Sequence, residues 1–90
     1  MTRITKANLQ AVADRINRMT KSPMQPYVDL VPQAGCFCLD NAYNGYCLHR
    51  MQGNSGEADV LQCGYLKPSE LLPLMHAWIR GYNFGKEELL

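Results

Sequence analysis

Cysteine and histidine recur in the middle of the chain in a pattern that could bind zinc, Cys36-x-Cys38 followed by Cys47-x-His49. Zinc takes thiolate and imidazole ligands, and its structural sites draw them from turns in which the side chains converge. Ligands two residues apart on a flat strand instead run parallel, so we expect no metal and no other cofactor. In a reducing cytosol we expect the thiols to stay free and to pack as small apolar groups. The thiols are those of Cys36, Cys38, Cys47 and Cys63.

Asp40, Cys47 and His49 are the residue types of a nucleophilic triad, in which a carboxylate orients the imidazole that activates a thiol. On one strand, Cys47 and His49 would lie about 6 to 7 Å apart with parallel side chains. No oxyanion-hole loop is evident in the sequence. A cross-strand pair between Asp40 and His49 that stabilises a hairpin fits this spacing better. We therefore expect no catalytic residues and no enzymatic activity.

The first segment has the pattern of an amphipathic helix that begins after Thr5 and ends at Ser22-Pro23. Thr5 is the predicted N-cap, and the residue before a proline is pushed out of the helical region. The predicted buried stripe consists of Leu9, Val12, Ala13, Ile16 and Met19. The outer face carries three basic side chains that form a candidate contact surface, those of Arg15, Arg18 and Lys21.

Three strands are predicted after a proline-rich connection that includes an edge strand at 27–31. They cover roughly 35–42, 46–52 and 58–66, with a type I′ turn at Asn44-Gly45 and a second turn at 53–56. The first turn places Tyr43 opposite Tyr46 and Asp40 opposite His49.

Alternation along these strands separates a bulky face from a semi-polar one. The bulky face is predicted to pack under the helices and carries Phe37, Leu39, Tyr43, Tyr46 and Leu48. The third strand is predicted to add Leu61, Cys63 and Tyr65 to the same core. The other face stays partly open, and its Asp40, His49 and Met51 form a second candidate contact surface.

The last segment is predicted as a helix that opens at Pro68-Ser69-Glu70, with Ser69 as the cap and Gly81 or Gly85 as the end. Its apolar residues cover more of the circumference than one sheet face can bury, which is typical of an interface helix. We expect a homodimer, because a small domain gains buried surface by association. The predicted dimer interface consists of Leu72, Met75, Trp78, Ile79 and Tyr82.

The element order is thus α-β-β-β-α, which predicts one α+β domain over residues 1–90, with two helices packed on one face of a three-stranded antiparallel sheet. A composition of 47% hydrophobic and 19% charged residues is too apolar for a disordered chain. No apolar run reaches the roughly 18 residues of a membrane span. The first residues lack the apolar centre of a signal peptide, and we expect a cytoplasmic protein that does not contact membranes.

Several short motifs resemble those of a family of small accessory proteins encoded by tailed bacteriophages and prophages. They are Ile4-Thr5-Lys6, Arg15-Ile16-Asn17, Pro26-Tyr27, the run from Ala42 to Tyr46, Leu48-His49-Arg50-Met51 and Trp78-Ile79-Arg80-Gly81. The resemblance implies a phage setting and a host cytoplasm, and it carries no catalytic or binding residues with it. Accessory phage proteins commonly act by binding, as inhibitors of host enzymes or of defence systems.

We therefore expect a non-enzymatic protein that engages a host or phage macromolecule through the basic outer face of the first helix or through the semi-polar sheet face. The alternative is nucleic-acid binding by the basic first helix, because α-β-β-β-α is also the order of double-stranded RNA binding domains. Those domains place basic residues at the start of the last helix, where this chain has Ser69-Glu70. A net charge of only +1 also weakens that alternative.

Overall fold

The computed structural model describes residues 3–53 and 56–88 and contains two helices and two antiparallel sheets. The elements in chain order are α1 (Lys6–Thr20), β1 (Tyr27–Val28), β2 (Val31–Pro32), β3 (Phe37–Ala42), β4 (Gly45–Met51), β5 (Glu57–Asp59) and α2 (Pro68–Glu88). The larger sheet has the order β3-β4-β5 and confirms the α+β class. A separate β1–β2 hairpin replaces the single edge strand that the sequence predicts. The centre of the second predicted turn, Asn54-Ser55, lies outside the described residues.

Helix α1 begins and ends close to its predicted limits. The backbone N–H of Thr5 donates to Oδ1 of Asn8 at 2.8 Å, which satisfies a free amide at the helix start. At the other end Lys21 adopts the left-handed conformation, with φ 57°, and its amide donates to the carbonyl of Arg18.

Both helices pack on the bulky face of the larger sheet. Trp78 of α2 meets the Phe37 ring of β3 edge-on, with the ring centroids 5.2 Å apart. Each buried Leu or Phe side chain contributes about 1.5 to 3 kcal/mol relative to exposure, so this shared cluster holds the helices to the sheet. The buried cluster consists of Leu9, Ala13, Ile16, Phe37, Leu48, Leu71, Met75 and Ile79.

A buried asparagine joins α1 to the sheet. The Nδ2 group of Asn17 donates to the carbonyl of Phe37 at 2.9 Å, and the Phe37 amide donates to Oδ1 of Asn17 at 2.7 Å. Asn17 is only 1% exposed. Its side-chain amide thus provides the hydrogen bonds that the N–H and C=O of buried Phe37, at the start of β3, cannot make with water.

The turn between β3 and β4 lies one residue earlier than predicted. Tyr43 and Asn44 carry the positive φ values of the turn, 52° and 59°, and Ala42 pairs with Gly45. Asp40 therefore stands opposite Cys47, and Cys38 opposite His49, so the predicted Asp40–His49 and Tyr43–Tyr46 pairs are wrong. Tyr43 is 90% exposed rather than part of the core.

Gly45 is needed for a close contact rather than for a left-handed turn. A Cβ at this position would lie 3.0 Å from the Leu66 carbonyl oxygen and 3.1 Å from its nitrogen. Tyr46 and Leu66 exchange two backbone hydrogen bonds beside it, at 2.8 and 2.9 Å. The segment at Leu66 can approach β4 this closely because residue 45 has no side chain.

The predicted third strand at 58–66 is interrupted. Strand β5 ends at Asp59, whose carboxylate accepts hydrogen bonds from the amides of Gln62 and Gly64 at 2.9 and 3.0 Å. An aspartate that captures nearby amides in this way favours a turn over a continued ladder. The interruption sends Tyr65 to the opposite face from the one predicted, where its hydroxyl meets Asp40.

Helix α2 is longer than predicted and begins two residues earlier than a cap at Ser69 implies. Pro68 is its first residue, and the backbone N–H of Lys67 before it donates to Oε1 of Glu70 at 3.2 Å. Ser69 therefore lies inside the helix instead of capping it. The helix continues through Gly81 and Gly85 to Glu88, so neither glycine ends it. Among the described residues, no helix has the length and apolar character needed to cross a membrane.

Candidate functional site

Three ionisable side chains converge on the sheet face that points away from the helices. Asp40 comes from β3, His49 from β4 and Glu57 from β5, and strand alternation puts all three on one face. One potential ligand atom from each residue lies within 4.8 Å of the other two. We call these three residues the Asp40–His49–Glu57 cluster.

Two hydrogen bonds organise this cluster. Nδ1 of His49 and Oε2 of Glu57 are 2.7 Å apart. The Tyr65 hydroxyl donates to Oδ2 of Asp40, and this bond to the carboxylate raises the pKa of Tyr65 to about 12. The Tyr65 ring also lies against the His49 and Tyr43 rings, with centroids 6.1 and 5.4 Å apart. A short strand, a loop and two long strands thus all contribute to one cluster.

The cysteines on this side of the sheet do not join the cluster. Burial, together with the nearby carboxylate of Glu57, raises the pKa of the Cys38 thiol to about 12. Burial and the adjacent Asp59 carboxylate raise the pKa of Cys47 to about 12. Thiols held in this protonated state are poor nucleophiles and poor metal ligands. In the described residues, the side chains close enough together to hold a metal ion are those of Asp40, His49 and Glu57, and the four-residue pattern that suggested zinc contributes only His49 to them.

The structure places the residues of the predicted sheet-face surface in two different environments. Asp40 and His49 are partly exposed in the cluster, whereas Met51 is 2% exposed and packs with Cys36 and Cys38 in a second small core. Met51 is therefore not available for direct contact. Glu57 completes the cluster and was not among the predicted site residues, because it lies one residue before the predicted third strand at 58–66.

The basic side chains of α1 form an accessible stripe. Arg15, Arg18 and Lys21 are all exposed, and their three-residue spacing places them along one side of the helix. This surface agrees with the arrangement expected from the sequence.

The predicted dimer interface on α2 is divided between the core and the surface. Met75 and Ile79 are 0% and 4% exposed and belong to the core of a single chain. Leu72, Trp78 and Tyr82 remain partly exposed, and the Trp78 and Tyr82 rings stack with centroids 5.4 Å apart. Only these three residues of the predicted set are accessible to a partner chain.

The β1–β2 hairpin is an apolar surface that the sequence reasoning missed. Five of the eight large hydrophobic residues that are exposed in the described chain lie within residues 24–31. Leu30 at its turn is 94% exposed. The members of this surface, here called the apolar hairpin, are Met24, Tyr27, Val28, Leu30 and Val31.

The turn of the apolar hairpin has unfavourable backbone conformations. Asp29 and Leu30 have φ values of 50° and 66°, and β1 pairs with β2 by Tyr27–Pro32 and Val28–Val31. A type I′ turn normally holds asparagine, aspartate or glycine at these positions, because the Cβ of another residue such as Leu30 in the left-handed region costs about 1 to 2 kcal/mol. The sequence signal for this hairpin is the pair of short segments Tyr27-Val28 and Val31-Pro32, which two residues separate. Leu30 hides this signal, because the turn lacks the asparagine or glycine that usually marks it.

Comparison of the chain with models of protein families, with curated proteins and with solved structures found no match.

Proposed function

We propose that this chain is a non-enzymatic binding protein of the phage accessory type, acting in the host cytoplasm on a host or phage protein. The observation that carries the proposal is the apolar hairpin, with Leu30 almost fully exposed at its turn. The phage setting is supported by the sequence resemblance described above.

The composition of the apolar hairpin fits a protein partner. Isolated exposed apolar residues are common, but a contiguous group is typical of an interaction site. Tyr27 offers an aromatic ring of the kind that anchors interfaces, and Leu30 offers a branched side chain that can fill a pocket. Burying Leu30 in a partner would contribute about 1.5 to 3 kcal/mol to binding.

The stability of the fold gives no reason for leucine at position 30. Its side chain packs on little of its own chain, and its left-handed backbone is unfavourable. Backbone strain of this kind is found where the surrounding structure holds a side chain for function. We infer that the turn presents Leu30 to the partner's pocket.

The basic side chains of α1 fit the role of a charged rim. Lys21 precedes Met24 by three residues, so the α1 stripe ends within about 10 Å of the start of the apolar hairpin. An apolar centre beside a charged rim is the usual arrangement of a protein interface. The three basic side chains would then raise the rate of association more than they slow dissociation of the complex.

Nucleic-acid binding by the same basic stripe is the second candidate function, favoured by the exposure of Arg15, Arg18 and Lys21 on one side of α1. It would depend steeply on salt, because phosphate contacts release counterions. The apolar hairpin has no role in that candidate.

The proposal is tested by affinity capture from phage-infected bacterial lysate that is divided into a nuclease-treated half and an untreated half. Wild type is compared with Leu30→Gly, and Tyr43→Gly is the matched control, because Tyr43 is equally exposed at a left-handed turn position. We expect one protein to be retained by wild type and by Tyr43→Gly and to be lost from Leu30→Gly. Equal retention by all three would refute the role of the hairpin, and retention that nuclease abolishes would establish the nucleic-acid alternative.

A further inference from the structure

The geometry points to a binding site for one divalent metal ion of the zinc class at the Asp40–His49–Glu57 cluster. The inference is independent of the apolar hairpin. It rests on the convergence of an imidazole and two carboxylates from three neighbouring strands, with ligand atoms within 4.8 Å of one another.

The spacing of the three donors is close to what a metal ion requires. A tetrahedral zinc ion with bonds of about 2.0 to 2.2 Å separates its ligands by about 3.3 to 3.6 Å. Glu57 is exposed, and rotation of its side chain would exchange its 2.7 Å hydrogen bond to Nδ1 of His49 for a bond to the metal. The backbone of the sheet fixes the positions from which the three side chains extend, because His49 is flanked by β3 on one side and β5 on the other.

The charge of the cluster also favours a cation. Two carboxylates lie near one imidazole, and in the described residues no lysine or arginine forms an ion pair with either carboxylate. The nearest arginine along β4, Arg50, lies on the other face, with its guanidinium 4.7 Å from the Phe37 ring centroid. Bringing Asp40 and Glu57 together without a cation is unfavourable, and a divalent ion neutralises the pair.

Neighbouring groups hold the proposed ligands in place as they do in metal sites. The Tyr65 hydroxyl donates to one oxygen of Asp40 and leaves the other oxygen free to bind the metal. Asp59 shares the sheet face, but its two oxygens accept the amides of Gln62 and Gly64 and are therefore engaged. Three protein ligands and an open fourth position form the donor set of zinc sites that keep a water molecule.

The donor types favour zinc over magnesium. Imidazole suits zinc, copper and nickel, whereas magnesium prefers an octahedral set of oxygen ligands. A bound ion would also tie the three-residue strand β5 to β4 and β3, so it would stabilise the folded chain.

The test is calorimetric titration of the whole chain with zinc chloride in a buffer that holds a thiol-free reductant. We expect one ion per chain, and a rise in the Tm of several degrees at saturation. Glu57→Gln and His49→Ala should each weaken binding about tenfold or more. The matched controls are His76→Ala, which removes the other described histidine, and Asp29→Asn, which removes an exposed carboxylate elsewhere. Both should bind as wild type does.

Cobalt as a zinc substitute separates this site from adventitious binding to the thiols. A site of nitrogen and oxygen ligands gives no thiolate-to-cobalt charge-transfer absorption, and its absence is the expected result. The inference is overturned by an absence of zinc binding, by binding that Glu57→Gln and His49→Ala leave unchanged, or by the thiolate absorption. Because Glu57 is exposed, its substitution leaves the fold intact even if His49→Ala does not.

Discussion

Single side chains decide how the elements of this fold meet, and Asn17 is the clearest example. It occupies a position on the buried stripe of α1 where an apolar residue would be expected, and its amide satisfies both backbone groups of Phe37. The sequence pattern identified the stripe but not this residue, because a buried asparagine is recognisable only once its partner on another element is known.

Asn17→Ala should destabilise the chain by about 2 to 4 kcal/mol, because it leaves the N–H of Phe37 buried without a partner and its C=O with only the weak thiol donor of Cys36. Urea unfolding followed by circular dichroism measures this change. Asn8→Ala, which affects only the exposed helix start, is the comparison and should cost about 1 kcal/mol or less. A similar small loss in both variants would mean that water replaces the Asn17 amide.

Leu30→Gly should raise the free energy of unfolding by up to about 1 kcal/mol. Glycine adopts the left-handed conformation without strain, and the exposed leucine side chain contributes little packing that could be lost. The same substitution is expected to abolish partner binding, so stability and function should move in opposite directions. Destabilisation on urea unfolding would show that Leu30 packs within its own chain.

At the level of elements, the face of each long strand was predictable, whereas the strand pairing was not. The β3–β4 turn lies one residue earlier than its asparagine-glycine signal indicates, and this changes the register by two residues. A two-residue change keeps every side chain on its predicted face. The position of the turn depends on the close approach of Leu66 to Gly45, and such a long-range contact leaves no local pattern.

Gly45→Ala should therefore destabilise the chain by about 1 to 3 kcal/mol, because the new methyl group would meet backbone atoms of Leu66 that cannot rotate away. Thermal unfolding measures the loss. Gly64→Ala is the comparison, because Gly64 has φ 73° and nothing lies within 4 Å of an added Cβ, so this variant tests backbone conformation without a steric clash. If Gly45→Ala unfolds at the wild-type temperature, the Leu66 segment does not pack against β4 as described.

The outer face of α1 is expected to affect binding without affecting the fold. Arg15→Glu combined with Arg18→Glu reverses the charge of exposed side chains, so the free energy of unfolding should stay within about 0.5 kcal/mol of the wild-type value. Retention of the protein partner should fall several-fold and become less dependent on salt. Unchanged retention at low salt would exclude α1 from the interface.

For the whole molecule, composition and periodicity were sufficient to predict an α+β chain with helices at both ends and a sheet between them. They could not divide the apolar face of α2 between the core and the surface. Met75 and Ile79 face the sheet, and Leu72, Trp78 and Tyr82 remain partly exposed. Which apolar residues a helix buries depends on the angle at which it crosses the sheet, and periodicity does not report that angle.

We propose that the chain forms a homodimer through the accessible part of this face. Sedimentation equilibrium over a range of concentrations should give a species of twice the 10.2 kDa chain mass. Tyr82→Glu should shift it toward the monomer, whereas Phe84→Glu, two positions along and on the opposite side of α2, should not. A mass of 10.2 kDa at every concentration would exclude the dimer.

Hydrogen exchange of the chain with and without its captured protein partner shows whether the apolar hairpin is the contact surface, and it needs no substitution. We expect backbone amides within residues 24–31 to exchange more slowly in the complex, with smaller effects along α1. Protection confined to the Asp40–His49–Glu57 cluster or to α2, with exchange in the apolar hairpin unchanged, would refute the apolar hairpin as the contact surface.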